Sequence, residues 1–363
     1  MGSDQATQVS APDRAQAVAD AGRPRSWWDR VLASDFFVLL LTMGFIVVMV
    51  PFTNGLLSQG NLLNILSNYW PLLLVVAGQT FVLITAGIDL SQTGIVALSN
   101  VIGVMLVTEV ASADLFGDTP FWNVLFGEQG GVLGSSLGAV LVAFLIMVVI
   151  GAAVGMFNGW AVAVVGMPAF MVTLTVMMFV SAFAIWTTKS DNIRSLPPAF
   201  MSVSNQWIAG LIALVAVVIA HLVLSRTLLG RWLYAIGVNR AAAQVTGVPV
   251  ARVVMSAYAL SGAYAALGAI LYAARLSAGR PTLASDLLID VIGAAVIGGV
   301  SLMGGRGRIS GAAFGALFFV VLTNALNLVG LTFYAIMVVK GLVILGAVGL
   351  DVLRSRRERR GQS

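Results

Sequence analysis

The chain has 363 residues, of which 59% are hydrophobic and only 10% are charged, and its mean hydropathy is +0.97. Ordinary soluble domains have about 45–50% apolar and about 25% charged residues, so a water-soluble fold is excluded. The net charge of +5 fits basic loops that face anionic membrane lipid, and no nucleic-acid partner is needed to explain it. The chain has no cysteine and a single histidine, His221. Disulfides, thiol catalysis and histidine-pair metal sites are therefore excluded, and we expect no metal and no cofactor.

The predicted elements begin with a polar tail, residues 1–30, which lacks any apolar run and is expected to be flexible. Apolar segments then recur from Phe36 to Leu350, and a membrane-spanning helix needs about 20 such residues. They predict an all-α, polytopic transmembrane bundle over residues 31–353, followed by a basic tail at 354–363. About ten spans are expected, near 36–52, 69–86, 90–108, 133–156, 160–187, 206–225, 253–274, 288–303, 310–328 and 332–350. The 39 glycines suit helices that pack closely in a membrane.

An acidic residue, Asp89, lies between the second and third predicted spans, in the sequence AGIDLS. A carboxylate at the centre of a bilayer costs about 2.5–3.5 kcal/mol on the insertion scale, so its presence needs a reason. One interpretation is a helix cap: Asp89 satisfies free N–H groups of a helix that starts near Leu90, after a sharp break at Gly87. The other is direct contact with a transported substrate.

The longest basic segment, RWLYAIGVNRAAAQVTGVPVAR at 231–252, lies between two predicted spans. Asn239, Arg240, Ala241 and Ala242 suit the start of a short amphipathic helix, and Gly247 suits its end. The segment is either an ordinary connector or a docking helix that receives mechanical work from a separate ATPase. With ten spans, the main arginine groups fall on one side, so both termini are expected to be cytoplasmic.

The sequence contains little that could supply the chain itself with energy for transport. The phosphate-binding pattern G-x-x-x-x-G-K-[ST] is absent, because the two lysines, Lys189 and Lys340, do not follow glycine. The glycine cluster between Gly298 and Gly311 predicts a tight turn between helices. Apart from Asp89 and Lys340 the spans hold few charges, which argues against ion-coupled transport.

Polar side chains within the apolar spans are candidates for lining a translocation path. Hydrogen bonding between helices is the competing explanation for each of them. The candidates are Gln79, Thr80, Asp89, Ser91, Asn100, Asn158, Thr173, Thr175, Asn324 and Asn327.

Four stretches, in this order, resemble the permease subunits of ribose/xylose/galactose-type ATP-binding cassette importers, in the branched-chain amino acid/sugar permease superfamily. They are AGIDLSQTGIVALSNVIG (86–103), GMFNGWAVAVVGMPAFMVTLTVMM (155–178), LYAIGVNRAAAQVTGV (233–248) and IGGVSLMGGRGRISGAAFGAL (297–317). The resemblance covers the chain from the first span to Leu350. Leu288 replaces an acidic residue that is usual in the family, and Gln92-Thr93 replaces a small Val-Gly pair, which leaves the substrate open.

The resemblance implies a non-catalytic permease in a bacterial inner membrane that imports a monosaccharide or similar neutral polyol by alternating access. It implies three partners: an ABC-type ATPase, a periplasmic sugar-binding protein, and a second copy or related permease. The ATPase-coupling residues would be Asn239, Arg240, Ala241, Ala242 and Gly247. The alternatives are an ion-coupled secondary transporter, or a permease of the same superfamily for nucleosides or branched-chain amino acids.

Overall fold

The computed structural model describes residues 36–283 and 287–360, with side chains described as far as residue 349. The predicted tail 1–30 and residues 361–363 of the predicted C-terminal tail lie outside the described residues.

The described chain is mostly helical, with almost no strand, which confirms the predicted all-α fold class. Its helices are α1 (Phe36–Met49), α2 (Gln59–Ile84), α3 (Ser91–Val107), α4 (Ala113–Phe116), α5 (Leu137–Ala163), α6 (Ala169–Thr188), α7 (Pro198–Met201), α8 (Gln206–Arg226), α9 (Leu228–Val238), α10 (Arg240–Val245), α11 (Val250–Leu276), α12 (Leu287–Ile297), α13 (Ile309–Leu328) and α14 (Phe333–Arg360). Short 3₁₀ turns cover Val50–Phe52 and Ser202–Ser204, and β1 (Phe126–Gly127) pairs with β2 (Gly130–Gly131) in a small antiparallel hairpin.

Six of these helices are long and apolar enough to cross a membrane: α2, α5, α6, α8, α11 and α13. Shorter apolar helices cover Phe36–Phe52, Ser91–Val107, Leu228–Val238, Leu287–Ile297 and Phe333–Gly349. The chain is therefore a multi-pass membrane protein, while the count of ten spans and the orientation of the termini stay predictions.

Several boundaries differ from the sequence prediction. Helix α5 ends at Ala163, seven residues after the expected 156, α6 begins at Ala169, nine residues after the expected 160, and α12 ends at Ile297, six residues before the expected 303. Helix α2 begins at Gln59, ten residues before the expected start at 69, because the Ser58 hydroxyl caps it by accepting the N–H of Asn61. Three asparagines in its first three turns lowered the local hydropathy and hid that half of the helix. At the other terminus, α14 continues to Arg360, so residues 354–360 of the predicted basic tail are helical.

The centre of the bundle is α3, in which every residue is buried. It is enclosed by α5, α6 and α11, and its Gln92 side chain reaches the Val75 carbonyl of α2. Half of α2 is equally shielded, since all residues from Pro71 to Ile84 are buried. A helix with no exposed face can carry polar residues, provided that its neighbours supply hydrogen-bond partners.

Glycines bring α5 and α11 into direct backbone contact. A Cβ at Gly151 would overlap the carbonyl oxygen of Gly262, and a Cβ at Gly155 would overlap that of Tyr258. A Cβ at Gly159 would lie 2.6 Å from the Cα of Met255. Small residues four apart on one face allow this approach, so the prediction that glycine serves helix packing is confirmed.

The bundle has two distinct ends. One end, here the α10 end, carries α9 and α10, the break at residues 85–90 between α2 and α3, and the glycine-rich turn at 298–308. The opposite end, here the hairpin end, carries the β-hairpin, α4 and α7. There, Ile193 and Gly279 exchange backbone hydrogen bonds of 3.0 and 2.8 Å.

Candidate functional site

The break between α2 and α3 turns the chain sharply inside the bundle. Helix α2 closes with a hydrogen bond of 3.2 Å from the Gly87 N–H to the Val82 carbonyl, and Ala86 takes a φ of +62°. Gly87 packs against α11, because a Cβ at this position would lie 2.8 Å from the Tyr258 hydroxyl. Gly87 therefore lets the chain pass close to the Tyr258 side chain, and Asp89 lies two residues later in the protein interior.

Asp89 is 1% exposed, and neutral donors hold its carboxylate. Its Oδ1 accepts the Ser91 N–H at 3.1 Å and the Ser91 hydroxyl at 2.6 Å, and its Oδ2 accepts the Ser261 hydroxyl at 2.6 Å. Ser91 is the first residue of α3, so Asp89 satisfies one free N–H at the start of this helix, as the cap interpretation expects, although Leu90 occupies the N-cap position and no side chain caps the helix from there. Ser261 of α11 was not foreseen, since it is 172 positions away and no local pattern connects the two residues.

Further side chains extend this contact into what we call the break network: Gln79, Asp89, Ser91, Gln92, Asn158 and Ser261. The Asn158 amide donates to the Ser91 hydroxyl at 2.7 Å. Gln92 donates to the carbonyls of Val75 and Ser261, at 3.2 and 3.3 Å. With its amide oriented to match its neighbours, Gln79 donates to the Asp89 carbonyl (3.1 Å) and to Gln92 Oε1 (2.9 Å).

The break network joins α2, α3, α5 and α11, and Thr173 adds α6 by donating to the Ile88 carbonyl at 3.2 Å. The structure thus brings together five of the predicted path residues: Gln79, Asp89, Ser91, Asn158 and Thr173. All five are buried. Most of their polar side-chain atoms have a hydrogen-bond partner in the protein. The exception is the buried Asn158 Oδ1, which has no partner. Whether they line a path stays a prediction.

The remaining candidates lie elsewhere. Thr80 donates to the Val76 carbonyl of its own helix, and Thr175 is exposed on α6. Asn100 accepts the Arg280 N–H at 2.7 Å, towards the hairpin end. Asn324 pairs with Asn61 of α2. Asn327 is exposed and donates to the Thr323 carbonyl of its own helix.

At the α10 end, the segment predicted to couple to an ATPase forms the expected short helix. Asn239 caps α10 by accepting the Ala242 N–H at 3.0 Å, and the chain leaves the helix at Gly247, whose φ is +85°. Asn239, Arg240, Ala241, Ala242 and Gly247 are all exposed. A surface groove of about 380 Å³ lies between α9 and α10, lined by Tyr234, Ala235, Val238, Asn239, Ala242, Ala243 and Thr246.

Helix α9 is joined to the break through the glycine-rich turn. The Gly305 N–H donates to the Ile84 carbonyl at 2.8 Å, and the Tyr234 hydroxyl donates to the Gly307 carbonyl at 2.7 Å. Gly237 touches both partners, because a Cβ there would overlap Ile84 and Gly305. The predicted tight turn is confirmed, with positive φ at Gly299, Gly304, Gly305 and Gly307. No pattern in the sequence predicts that this turn contacts the end of α2.

The intramembrane charge on Lys340 is paired. Its Nζ lies 2.7 Å from Asp290 Oδ1 and 3.0 Å from Oδ2, and the two side chains are 10% and 17% exposed. This ion pair links α12 to α14. Among the described residues, no three histidine, cysteine or acidic side chains are grouped so that they could hold a metal ion.

Comparison with known proteins identifies the family. Residues 61–348 match the model of the "Branched-chain amino acid transport system / permease component" family. The ribose import permease protein RbsC of Haemophilus influenzae is 32% identical over 330 residues, which cover 87% of this chain and 92% of that protein. RbsC of Bacillus subtilis is 33% identical over 318 residues (85% and 90%).

The galactose/methyl galactoside import permease protein MglC of Haemophilus influenzae is 29% identical over 336 residues, covering 89% of this chain and 95% of that protein. No solved structure matches the chain. The family model covers most of the chain, and the RbsC proteins exceed 30% identity over more than four-fifths of it. The chain therefore belongs to the branched-chain amino acid transport system permease family, and it is a transport component and not an enzyme.

Proposed function

We propose that this chain is the membrane-spanning subunit of an ATP-binding cassette importer for a monosaccharide or similar neutral polyol. It acts in a bacterial inner membrane with a second copy or a related permease. A periplasmic sugar-binding protein delivers the substrate, and a separate ATPase supplies the free energy. The observation that carries this proposal is the likeness, over nearly the whole chain, to proteins named as ribose and galactose import permeases.

The distribution of charge supports an orientation with the α10 end in the cytoplasm. Residues 226–252 contain four arginines and no acidic residue, and the glycine-rich turn at the same end adds two more. Short loops rich in arginine stay on the cytoplasmic side of a membrane. The arginines are Arg226, Arg231, Arg240, Arg252, Arg306 and Arg308.

The contacts at the α10 end support a mechanical route from the ATPase to the membrane helices. The groove between α9 and α10 offers small residues and an exposed surface to a docking partner. Movement of α9 is transmitted through Gly237 and Gly305 to Ile84, the last residue of α2. The break network lies directly beyond it. Atoms packed this tightly transmit displacement and do not absorb it.

In this mechanism the permease performs no covalent step. Closure of the ATPase subunits displaces α9 and α10, the break shifts, and access changes from one side of the membrane to the other. The pairing of Lys340 with Asp290 leaves neither charge exposed as an ion-binding group, which favours an external energy source over an ion gradient.

Transport by the assembled complex tests this class of function. Proteoliposomes that contain the permease, its cassette ATPase and its binding protein are expected to accumulate labelled D-ribose, D-xylose or D-galactose only when ATP is supplied. Ionophores should not stop uptake. ATP-independent uptake that ionophores abolish would instead establish a secondary transporter.

The family model favours a second candidate, a permease for branched-chain amino acids, because its description names that substrate class. The same assay separates the two candidates with leucine, isoleucine, valine and a nucleoside in place of the sugars. Saturable import of leucine without import of any sugar would replace the first proposal with the second.

A tryptophan at Gly247 tests the coupling role. A Cβ there meets no atom within 4 Å, so the cost of Gly247→Trp is limited to the local strain of a side chain at a φ of +85°. The variant should insert in the membrane yet obstruct the docking partner and reduce ATP-driven uptake at least tenfold. Gly166→Trp is a matched control, since Gly166 has a φ of +83° and is equally open, but lies in the α5–α6 turn. Normal uptake and ATPase recruitment in Gly247→Trp, or an equal loss in both variants, would remove the segment from the mechanism.

A further inference from the structure

The half of α2 nearest the hairpin end carries a set of polar side chains that the break network does not use. Asn61, Asn64, Ser67 and Asn68 lie within the first three turns of the helix. Their spacing places them on one side of the helix, within an arc of about 120°, because successive residues turn by about 100°. We call them the α2 amide stripe. Asn64 is exposed and the other three are half-buried, whereas every residue from Pro71 to Ile84 is buried.

Such a stripe is costly if it faces lipid. An amide transferred from water to an apolar medium loses its hydrogen bonds, and membrane helices accordingly turn polar side chains towards protein or water-filled cavities. Two stripe residues use their own helix: Asn68 donates to the Asn64 carbonyl at 2.8 Å, and Ser67 donates to the same oxygen at 2.9 Å. The exposure of Asn64 therefore indicates that this part of the α2 surface is in contact with water.

Two neighbouring helices bring further polar groups to the stripe. From the end of α11, Arg275 Nε donates to the Ser67 hydroxyl at 3.2 Å, and Nη2 lies 3.5 Å from Asn64 Oδ1. From α13, Asn324 and Asn61 form a reciprocal amide pair. Asn61 donates to Asn324 Oδ1 at 2.8 Å, and Asn324 donates to Asn61 Oδ1 at 2.9 Å.

We propose that the α2 amide stripe, with Asn324 and Arg275, forms a sugar-contact site at the hairpin-end mouth of the translocation path. This inference rests on the proposed function. Amide and guanidinium groups carry several donors and acceptors in fixed planes, and adjacent hydroxyls of a neutral polyol match them in pairs. The set contains no carboxylate, so it does not suit a cation, and the Arg275 guanidinium can donate to the hydroxyls of a neutral polyol as it donates to the Ser67 hydroxyl.

The Asn61–Asn324 pair can exchange its two mutual hydrogen bonds for hydrogen bonds to a sugar. Opening it breaks two amide hydrogen bonds and exposes two donors and two acceptors, and the hydroxyls of a sugar replace both bonds. Exchange of one neutral hydrogen bond for another changes the free energy little. The site therefore accepts and releases its sugar readily, as a conduction pathway requires.

Cysteine accessibility tests the proposal, because the natural chain contains no cysteine. In the assembled complex, Asn64→Cys and Asn68→Cys should react with a membrane-impermeant thiol reagent applied from the binding-protein side. Saturating D-ribose or D-galactose with the binding protein should slow this reaction at least threefold. Gln59→Cys is the control: Gln59 is exposed at the start of the same helix but lies on the side opposite the stripe, and sugar should not change its rate.

Transport provides an independent readout. Asn324→Leu should raise the half-saturating concentration for uptake about tenfold, whereas Gln59→Leu, at the exposed first residue of α2, should leave it unchanged. If the natural complex imports no sugar, the proposed function fails. If it imports sugar, the sugar-contact site is overturned by any of three results: unreactive cysteines, labelling that sugar does not slow, or a sugar-independent disulfide between two Asn64→Cys copies.

Discussion

The break network and the α2 amide stripe are two polar regions on the same helix, and they differ in what satisfies their hydrogen bonds. In the break network, carboxylate, hydroxyl and amide groups from four helices are buried and bond mainly to one another. In the stripe, Asn64 remains exposed, and two neighbours bond to backbone of their own helix. A closed network fixes the positions of helices, whereas an open one is available to a ligand. The same residue types thus serve structure in one region and, we infer, substrate in the other.

The largest effect on stability is expected where a buried charge loses its partner. Lys340→Met leaves the Asp290 carboxylate without its cation and should destabilise the protein by about 3–5 kcal/mol. The double variant Lys340→Met with Asp290→Asn should recover most of this loss. Thermal inactivation in detergent measures both. Lys189→Met is the control, because the Lys189–Asp118 pair is exposed and worth about 0–1 kcal/mol. Equal loss in the single and double variants would show that the pair itself is unimportant.

The next effect concerns the closed network. Asp89→Asn turns an amide NH₂ towards hydroxyl donors that the carboxylate accepts, and hydrogen bonds to a charged group are worth about 1.5–3 kcal/mol. We expect a loss of stability of that size, together with reduced uptake, because the break is no longer held. The thermal midpoint and the uptake rate are both measured, with the exposed Asp191→Asn as control. A stable and fully active Asp89→Asn protein would contradict the structural role of the network.

The smallest effect on stability should come from the open region. Asn64→Ala removes an exposed side chain from a helix, and such substitutions change stability by less than about 0.5 kcal/mol. Uptake should nevertheless fall several-fold, since a sugar contact is lost. The combination of an unchanged thermal midpoint and reduced uptake separates the two regions. A clear fall in the thermal midpoint would mean that the stripe is structural as well.

Local patterns in the sequence were sufficient for much of the fold. Runs of apolar residues predicted the membrane helices, Asn239 was recognised as a cap, Asp89 was recognised as an acceptor for a free N–H at the start of α3, and the glycine cluster was recognised as a turn. Each of these features depends on residues within a few positions of one another, so the sequence contains the information directly.

The tertiary contacts of the candidate site could not be predicted in this way. Ser261 meets Asp89, Asp290 meets Lys340 and Asn324 meets Asn61 across separations of 172, 50 and 263 positions. No periodicity connects such pairs. The first ten residues of α2 were missed for a different reason: their asparagines made a helix resemble a loop, and the same asparagines compose the proposed sugar contact.

The complete burial of α3 has a consequence for the biogenesis of the protein. This helix contains Ser91, Gln92, Thr93, Ser99 and Asn100 and presents no face to lipid. Of the helices that enclose it, α5, α6 and α11 are all synthesised later. A nascent chain therefore holds this polar span without its final neighbours until α11, which ends at Leu276, has left the ribosome. Chains truncated before that residue are expected to be substrates for membrane quality-control proteases.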